Sequence, residues 1–147
     1  MSKIVSVSVI SHGQFPLAKQ ILQDLSSHCS GEILEVILTL NIDEPAHVPG
    51  KDYAFPVRVV RNSVPKGFGA NHNSAFRGAA GDFFCVMNPD LRLNENPFPA
   101  LLDLACQPGI GVVAPVVLNP AGEREDSARW FPAPQELLGK AFGAGSA

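Results

Sequence analysis

Short apolar runs bounded by glycine, proline and asparagine recur along the chain, and they predict a series of β-strands. The runs are rich in valine, isoleucine and phenylalanine, which suit a pleated surface. The predicted strands are residues 4–10, 33–40, 57–60, 82–87 and 110–118. Because the run at 82–87 is almost wholly apolar, this strand is expected to be covered on both faces.

The segments between these strands carry a helical period instead. Apolar residues recur every four positions from Leu17 to Leu25, which predicts a helix over residues 16–27. An alanine-rich stretch predicts a second helix over 70–80, and a third, short helix is predicted over 99–106. Alternating strands and helices indicate an α/β fold, with a mostly parallel central sheet and helices on both faces.

Composition and charge agree with a single globular domain. Of the 147 residues, 46% are apolar and 17% are charged. We expect one domain over residues 1–132 and a tail over 133–147 that forms a helix or is poorly ordered. The net charge of −3 gives no basic stripe of the kind that phosphate backbones require, so nucleic acid is not an expected partner.

The sequence favours a cytoplasmic location. The N-terminal residues lack the apolar core of a signal peptide, and no run approaches the roughly 18 apolar residues that span a bilayer. The three cysteines are odd in number and widely spaced, which excludes a disulfide framework and suits a reducing compartment. Peripheral docking at the inner face of a membrane and formation of a homo-oligomer stay open.

Three polar loops follow directly after predicted strands, and a ligand is expected there. Ligands of open parallel sheets bind beyond the carboxyl ends of the strands. The loops are Ser11-His12-Gly13, Asn41–Glu44 and Asn88-Pro89-Asp90. In the first loop, His12 suits contact with a base or a phosphate, and an exposed turn histidine is the alternative.

Asn88 and Asp90 offer oxygen ligands at the mouth of a buried strand. Residues two apart in an extended chain point the same way, so these two side chains can converge on one ligand. Such ligands suit Mg²⁺ or Mn²⁺, which keep part of their coordination for substrate phosphates. The alternative is an Asn-Pro-Asp turn with no further role.

Residues 66–73 (Lys-Gly-Phe-Gly-Ala-Asn-His-Asn) place two glycines ahead of a predicted helix. Glycine permits close approach of the backbone to a ligand, and helix N-termini favour anionic groups. His72 stands where the dinucleotide fingerprint needs its third glycine, so that fingerprint is absent. Capping of the helix would explain one of the two asparagines Asn71 and Asn73. Contact with a ligand is the alternative explanation for these polar residues.

Together these segments resemble the family 2 glycosyltransferases of the GT-A fold, in particular the bacterial rhamnosyltransferase-like branch that acts on cell-surface polysaccharides. The similar segments are residues 5–13, 61–73, 86–90, 115–122 and 125–132. The resemblance spans residues 4–134, and its specificity lies in the order and spacing of the segments.

The resemblance implies a Rossmann-like GT-A domain that transfers a sugar, with inversion, from a nucleoside-diphosphate sugar to a hydroxyl of a saccharide or lipid-linked acceptor. A divalent cation, Mg²⁺ or Mn²⁺, would bridge Asp90 and the diphosphate. A carboxylate would deprotonate the acceptor. The residues implied to bind the substrate are Ser11, His12, Gly13, Asn41, Lys66, Gly67, Asn71, Asn73 and Asn88.

The sequence departs from the family pattern in three places. Asn41 stands where relatives usually have an aspartate, and the metal motif at Asp90 has one carboxylate instead of two. The domain is also short at its C-terminal end, and no residue takes the place of the catalytic base. Glu125 and Asp126 come too early for that role. A non-catalytic module that binds a nucleotide sugar is therefore the alternative to a transferase.

Overall fold

Up to residue 105, the strands and helices follow one another in the predicted order. The computed structural model describes residues 4–48 and 52–125. The elements are β1 (Val5–Ser11), α1 (Phe15–His28), β2 (Ile33–Leu40), β3 (Val57–Arg61), α2 (Phe68–Phe76), β4 (Phe83–Met87) and α3 (Phe98–Ala105). All of them lie in a first compact unit that ends at Val113, and a second unit begins at Ala114. The predicted domain boundary between residues 132 and 133 lies outside the described residues.

The four strands form one parallel sheet in the order β3-β2-β1-β4. Val9 of β1 lies opposite Leu38 of β2 and Met87 of β4, so the carboxyl ends of these strands meet at one edge. The chain adds β2 and β3 on one side of β1 and then returns to its other side. The predicted α/β fold with a parallel sheet is confirmed, and a topological switch point lies between β1 and β4.

The two faces of the sheet have different partners, because successive side chains of a strand point to opposite sides. Val7 and Val9 are fully buried in an apolar cluster with Leu25 of α1, and α3 contributes to the same cluster. On the other face, Ser8 of β1 is hydrogen-bonded to His72 of α2. Helices therefore cover both faces, as predicted. Each fully buried valine or leucine stabilises the fold by about 1.5–3 kcal/mol relative to an exposed one.

Helix α2 differs from its prediction: it spans Phe68–Phe76 instead of residues 70–80. The backbone of Gly81 packs against β1, where a Cβ atom would lie 2.6 Å from the backbone nitrogen of Ser6. The Gly81 N–H also donates to the Ser6 hydroxyl at 2.9 Å. The chain must leave the helix early to make this approach and to start β4.

The strand predicted over residues 110–118 is absent from the described structure, which corrects that prediction. Val112 is 89% exposed, and among the described residues of the second unit an isolated antiparallel bridge joins Leu118 to Arg124. Pro115 has no N–H with which to continue a ladder. The apolar character of this segment therefore does not reflect sheet pairing.

Candidate functional site

The carboxyl edge of the sheet brings three of the predicted segments side by side. The loops after β1, β2 and β4 begin at His12, Asn41 and Asn88, and Asn62 follows β3 at the same edge. The Asn41 N–H donates to the Ser11 carbonyl at 2.8 Å, which extends the parallel pairing of β1 and β2 into the loops. The fold thus places these polar residues where parallel sheets bind ligands.

Asn41 is the centre of a hydrogen-bonded cluster at this edge. Its Oδ1 accepts from the Lys66 backbone N–H at 2.8 Å and from Nδ2 of Asn62 and of Asn71, both at 2.9 Å. Its Nδ2 donates to the Lys66 carbonyl at 3.0 Å and lies 2.8 Å from Nδ1 of His12. The Asn62 Nδ2 also donates to Oδ1 of Asn71 at 2.7 Å. We call Asn41, Asn62 and Asn71 the amide cluster.

The amide cluster fastens the loop between β3 and α2 to the end of β2. Asn41 and Asn71 are only 4% and 1% exposed, and the polar atoms of both amides are bonded within the protein. Buried amides of this kind are costly to leave unpaired. The cluster therefore shapes the edge, and direct contact of these two residues with a ligand stays a prediction. Asn62 is not among the predicted site residues, although it lies within the segment that carries the resemblance.

Glu44 organises the loop after β1 from the neighbouring strand. Its carboxylate accepts the backbone N–H of Gly13 at 3.3 Å and that of Phe15 at 3.0 Å, and the residue is 8% exposed. It thereby caps the N-terminus of α1, whose own N-cap residue provides no side-chain bond. The predicted site residue Ser11 is buried and accepts the Gln14 N–H at 3.2 Å. The sequence gives no signal for the role of Glu44, because the bonds cross about 30 residues.

Gly13 adopts a left-handed backbone, which other residues rarely adopt. Its φ is +77°, and a Cβ atom there would lie 3.3 Å from the side chain of Ile42. This glycine is therefore required for the turn from β1 into α1. His12, immediately before it, is exposed at the edge.

Asn88 and Asp90 follow β4 directly, and both are exposed. Neither side chain makes a hydrogen bond or an ion pair with another described residue. Asp24 is a useful contrast, because its buried carboxylate accepts from Arg92 at 2.7 and 3.2 Å and from the Leu93 N–H at 3.1 Å. The hydrogen bond from Arg92 lowers the pKa of Asp24. Asp24 thus contributes to the fold, whereas Asp90 is left available.

A cation at this edge would have one protein carboxylate. The described residues contain no group of three or more His, Cys, Asp and Glu side chains that could hold a metal ion. Mg²⁺ and Mn²⁺ are commonly bound by one or two carboxylates together with substrate phosphates and water. Asp90, with Asn88 two residues before it, fits a cation that arrives with a diphosphate and does not fit a preformed metal centre.

The start of α2 is open towards solvent. Gly67 is the N-cap residue, and a Cβ atom at Gly67 or at Gly69 would meet nothing within 4 Å. Neither glycine is therefore required by packing within the protein. Lys66 and Asn73 are exposed beside them. Their contact with a ligand stays a prediction, and the space in front of the helix is free for it.

His72 points into the protein instead of towards the edge. Its Nδ1 lies 2.8 Å from the Ser8 hydroxyl, and its ring lies edge-on to the Phe68 ring at 4.4 Å. The ring is 4% exposed, its Nε2 has no hydrogen-bond partner among the described residues, and burial lowers the pKa of His72. This histidine belongs to the packing between β1 and α2.

A cavity of about 150 Å³ lies behind the amide cluster, between α2 and the strands β2 and β3. Thr39, Arg58, Val60 and Ser74 contribute to its wall, together with Asn62 and Asn71. Pockets for ligands of drug size usually measure about 300–1,000 Å³, so this cavity is too small for a nucleotide.

These features define a class of protein, an α/β domain whose polar loops meet at the switch point of a parallel sheet. Residues 6–143 match the family model for glycosyl transferase family 2, and the chain therefore belongs to this family. The family resemblance seen in the sequence is thus confirmed at the level of family 2. No curated protein matches the chain.

A solved structure has the same fold. The chain is similar to the mannosyltransferase PcManGT from Pyrobaculum calidifontis, determined in complex with GDP-Man and Mn²⁺, with a TM-score of 0.62 and 19% sequence identity. The match covers 80% of this chain and 36% of that chain, so our chain spans little more than a third of that protein. The likeness supports a GT-A-like fold. In the part of the chain that the structure describes, no helix is long and apolar enough to cross a membrane.

Proposed function

We propose that this chain is the donor-binding part of a glycosyltransferase that takes a sugar from a nucleoside-diphosphate sugar and transfers it to an acceptor hydroxyl. The observation that carries the proposal is the state of Asp90. Its carboxylate is exposed at the switch point and has no partner among the described residues, whereas the predicted residues Asn41 and Asn71 are bonded to each other and to Lys66. A carboxylate in this position is available for a cation and its diphosphate.

Different residues of the chain would bind different parts of the donor. Asp90, with Asn88 beside it, would hold Mg²⁺ or Mn²⁺, and the bound cation would offset negative charge on the leaving diphosphate. His12 and Gly13 border the nucleotide at the end of β1. Lys66 and the open N-terminus of α2, which begins after Gly67, provide positive potential for phosphate oxygens.

PcManGT, the neighbour of similar fold, was solved with GDP-Man and Mn²⁺, which supports a nucleotide sugar and a divalent cation as the ligands. We further propose transfer with inversion, to a saccharide or lipid-linked acceptor, in the synthesis of cell-surface polysaccharide by the rhamnosyltransferase-like branch. This role would place the protein in the cytoplasm or at the inner face of the membrane, with homo-oligomer formation open.

Titration of UDP, dTDP and GDP against the whole chain, with and without Mn²⁺, tests donor binding. The Asp90→Asn variant is expected to lose at least about tenfold of the Mn²⁺-dependent nucleotide affinity, since one charged ligand is removed. Asp82→Asn is the matched control, because Asp82 is an exposed aspartate at the opposite end of β4. Equal affinities for the two variants would show that Asp90 is only a turn residue.

A non-catalytic module that binds a nucleotide sugar is the second candidate. Transfer needs a base for the acceptor hydroxyl. Among the described residues, the buried acid at this edge is Glu44, which already accepts two backbone N–H groups, and this observation favours the module. Metal-dependent nucleotide binding without donor hydrolysis or sugar transfer would support the module over the transferase.

A further inference from the structure

The orientation of the Asn41 amide is fixed by its surroundings. A backbone N–H can only donate, so the atom that faces the Lys66 N–H at 2.8 Å must be the oxygen. The Nδ2 groups of Asn62 and Asn71 approach the same atom. The other amide atom is therefore the nitrogen, which faces the Lys66 carbonyl and Nδ1 of His12.

This orientation determines the tautomer of His12. Asn41 Nδ2 is a donor, so Nδ1 of His12, 2.8 Å away, must accept. In the neutral ring the hydrogen then lies on Nε2, on the far side of the imidazole. His12 is exposed, and its Nε2 has no partner among the described residues. The N–H group is therefore directed away from the amide cluster and is free to donate.

We propose that Asn41 is a positioning residue that holds His12 as the Nε2–H tautomer, and that His12 thereby donates a hydrogen bond to an oxygen of the bound nucleotide. The acceptor is an oxygen of the base, the ribose or the diphosphate. This inference rests on the proposed function for its ligand. The assignment of the tautomer itself depends only on the hydrogen bonds of Asn41. Asn41 thus acts on the ligand through His12.

Long-range ¹H–¹⁵N NMR of the histidine rings tests the tautomer without any nucleotide. The chain has four histidines, and the signals of His12 are assigned by their loss in His12→Gln. We expect the unmodified protein to show an unprotonated Nδ1 and a protonated Nε2. In Asn41→Asp, a carboxylate oxygen faces His12 and can only accept, so Nδ1 is expected to become protonated.

Asn62→Ala is the matched control for this measurement. It removes one member of the amide cluster, but the Lys66 N–H still orients Asn41, so the His12 tautomer is expected to persist. A protonated Nδ1 in the unmodified protein would overturn the proposal. So would an identical ring pattern in Asn41→Asp.

Two substitutions of His12 test the donor role, because each amide nitrogen replaces one ring nitrogen. Glutamine places an N–H group near the position of Nε2, whereas asparagine places one near Nδ1. With Mn²⁺ present, His12→Asn is expected to weaken UDP or GDP binding about tenfold, the worth of one hydrogen bond, and His12→Gln clearly less. Equal losses in both variants would overturn the donor role.

Inorganic pyrophosphate with Mn²⁺ identifies the oxygen that accepts. If His12→Asn weakens pyrophosphate binding as much as nucleotide binding, the hydrogen bond goes to the diphosphate. If it weakens only the binding of UDP or GDP, the bond goes to the base or the ribose. If no nucleotide binds to the unmodified protein, the proposed function and the donor role both fail. The NMR result then still decides whether Asn41 sets the tautomer, so the two failures are distinguishable.

Discussion

The carboxyl edge of the sheet has two halves that use their polar residues in opposite ways. Beside the ends of β2 and β3, the side chains of Asn41, of Glu44 and of Asn71 in α2 are buried and bonded within the protein. At the end of β4, Asn88 and Asp90 are exposed and make no side-chain bond with another described residue. A buried, bonded group stabilises the fold, whereas an exposed, unpartnered group costs little before a ligand arrives. The first half therefore sets the shape of the edge, and the second half is free to bind.

Asn41→Leu should have the largest effect on stability, because it removes the residue at the centre of the amide cluster. Leucine has a similar size but leaves the Lys66 backbone groups and the amides of Asn62 and Asn71 without their shared partner. We expect the free energy of unfolding to fall by about 3 kcal/mol. Urea unfolding followed by circular dichroism measures the change.

Asn73→Leu is the control for this prediction, since Asn73 is an exposed asparagine on α2. Leucine is at least as good a helix former as asparagine, so this variant should be no less stable than the unmodified protein. A comparable loss in both variants would mean that the amide cluster is not what stabilises the edge.

Glu44→Gln should have the next largest effect. Glutamine keeps the shape but has only one acceptor atom, so one of the N–H groups of Gly13 and Phe15 is left facing an N–H group. The negative charge at the N-terminus of α1 is also lost. We expect a loss of about 1–2 kcal/mol in the free energy of unfolding.

Glu95→Gln is the matched control, because Glu95 is exposed and its side chain has no bond to another described residue. Its stability in urea should be unchanged. If Glu44→Gln is equally neutral, the contact between the β2 loop and α1 does not stabilise the helix.

His72 should give a smaller, pH-dependent effect. Burial lowers its pKa below 6.5, so the folded protein favours the neutral ring and the unfolded chain binds the proton first. The contribution of His72 is therefore fully present above about pH 6.5 and is lost as the pH falls from there towards the pKa of the folded state. Urea unfolding from pH 7.5 to 5 should show this decline, and His72→Asn, which does not titrate, should reduce its slope. Parallel slopes would contradict the role of His72.

The elements that rest on periodicity were predictable from the sequence. The Leu17–Leu25 repeat identifies α1, and the apolar run at 33–40 coincides with β2. The early end of α2 was not predictable, because it depends on the contact between Gly81 and Ser6, which are far apart in sequence. The strand predicted at 110–118 failed for a similar reason. A strand needs a partner strand that is distant in sequence, and apolar composition does not show whether one is there.

The candidate site was likewise predictable only in part. The sequence indicates which polar residues follow strands, and the structure places His12, Asn41 and Asn88 at one edge, as expected. It does not reveal which of them are bonded to one another, because those bonds join residues up to 31 positions apart. Hence the bonding roles of Glu44 and Asn62 were missed.

The smallest expected effect on stability is that of a substitution at the end of β4, in the half of the edge whose side chains are exposed. Asp90→Asn should change the free energy of unfolding by less than about 0.5 kcal/mol, because the exposed carboxylate makes no bond with another described residue. Asp24→Asn is the comparison: it removes the charge that Arg92 and the Leu93 N–H share, and should therefore be clearly destabilising. Urea unfolding of both variants, without metal or nucleotide, measures the difference. A large loss in Asp90→Asn would mean that Asp90 is bonded in the folded protein, and the two halves of the edge would then no longer differ in kind.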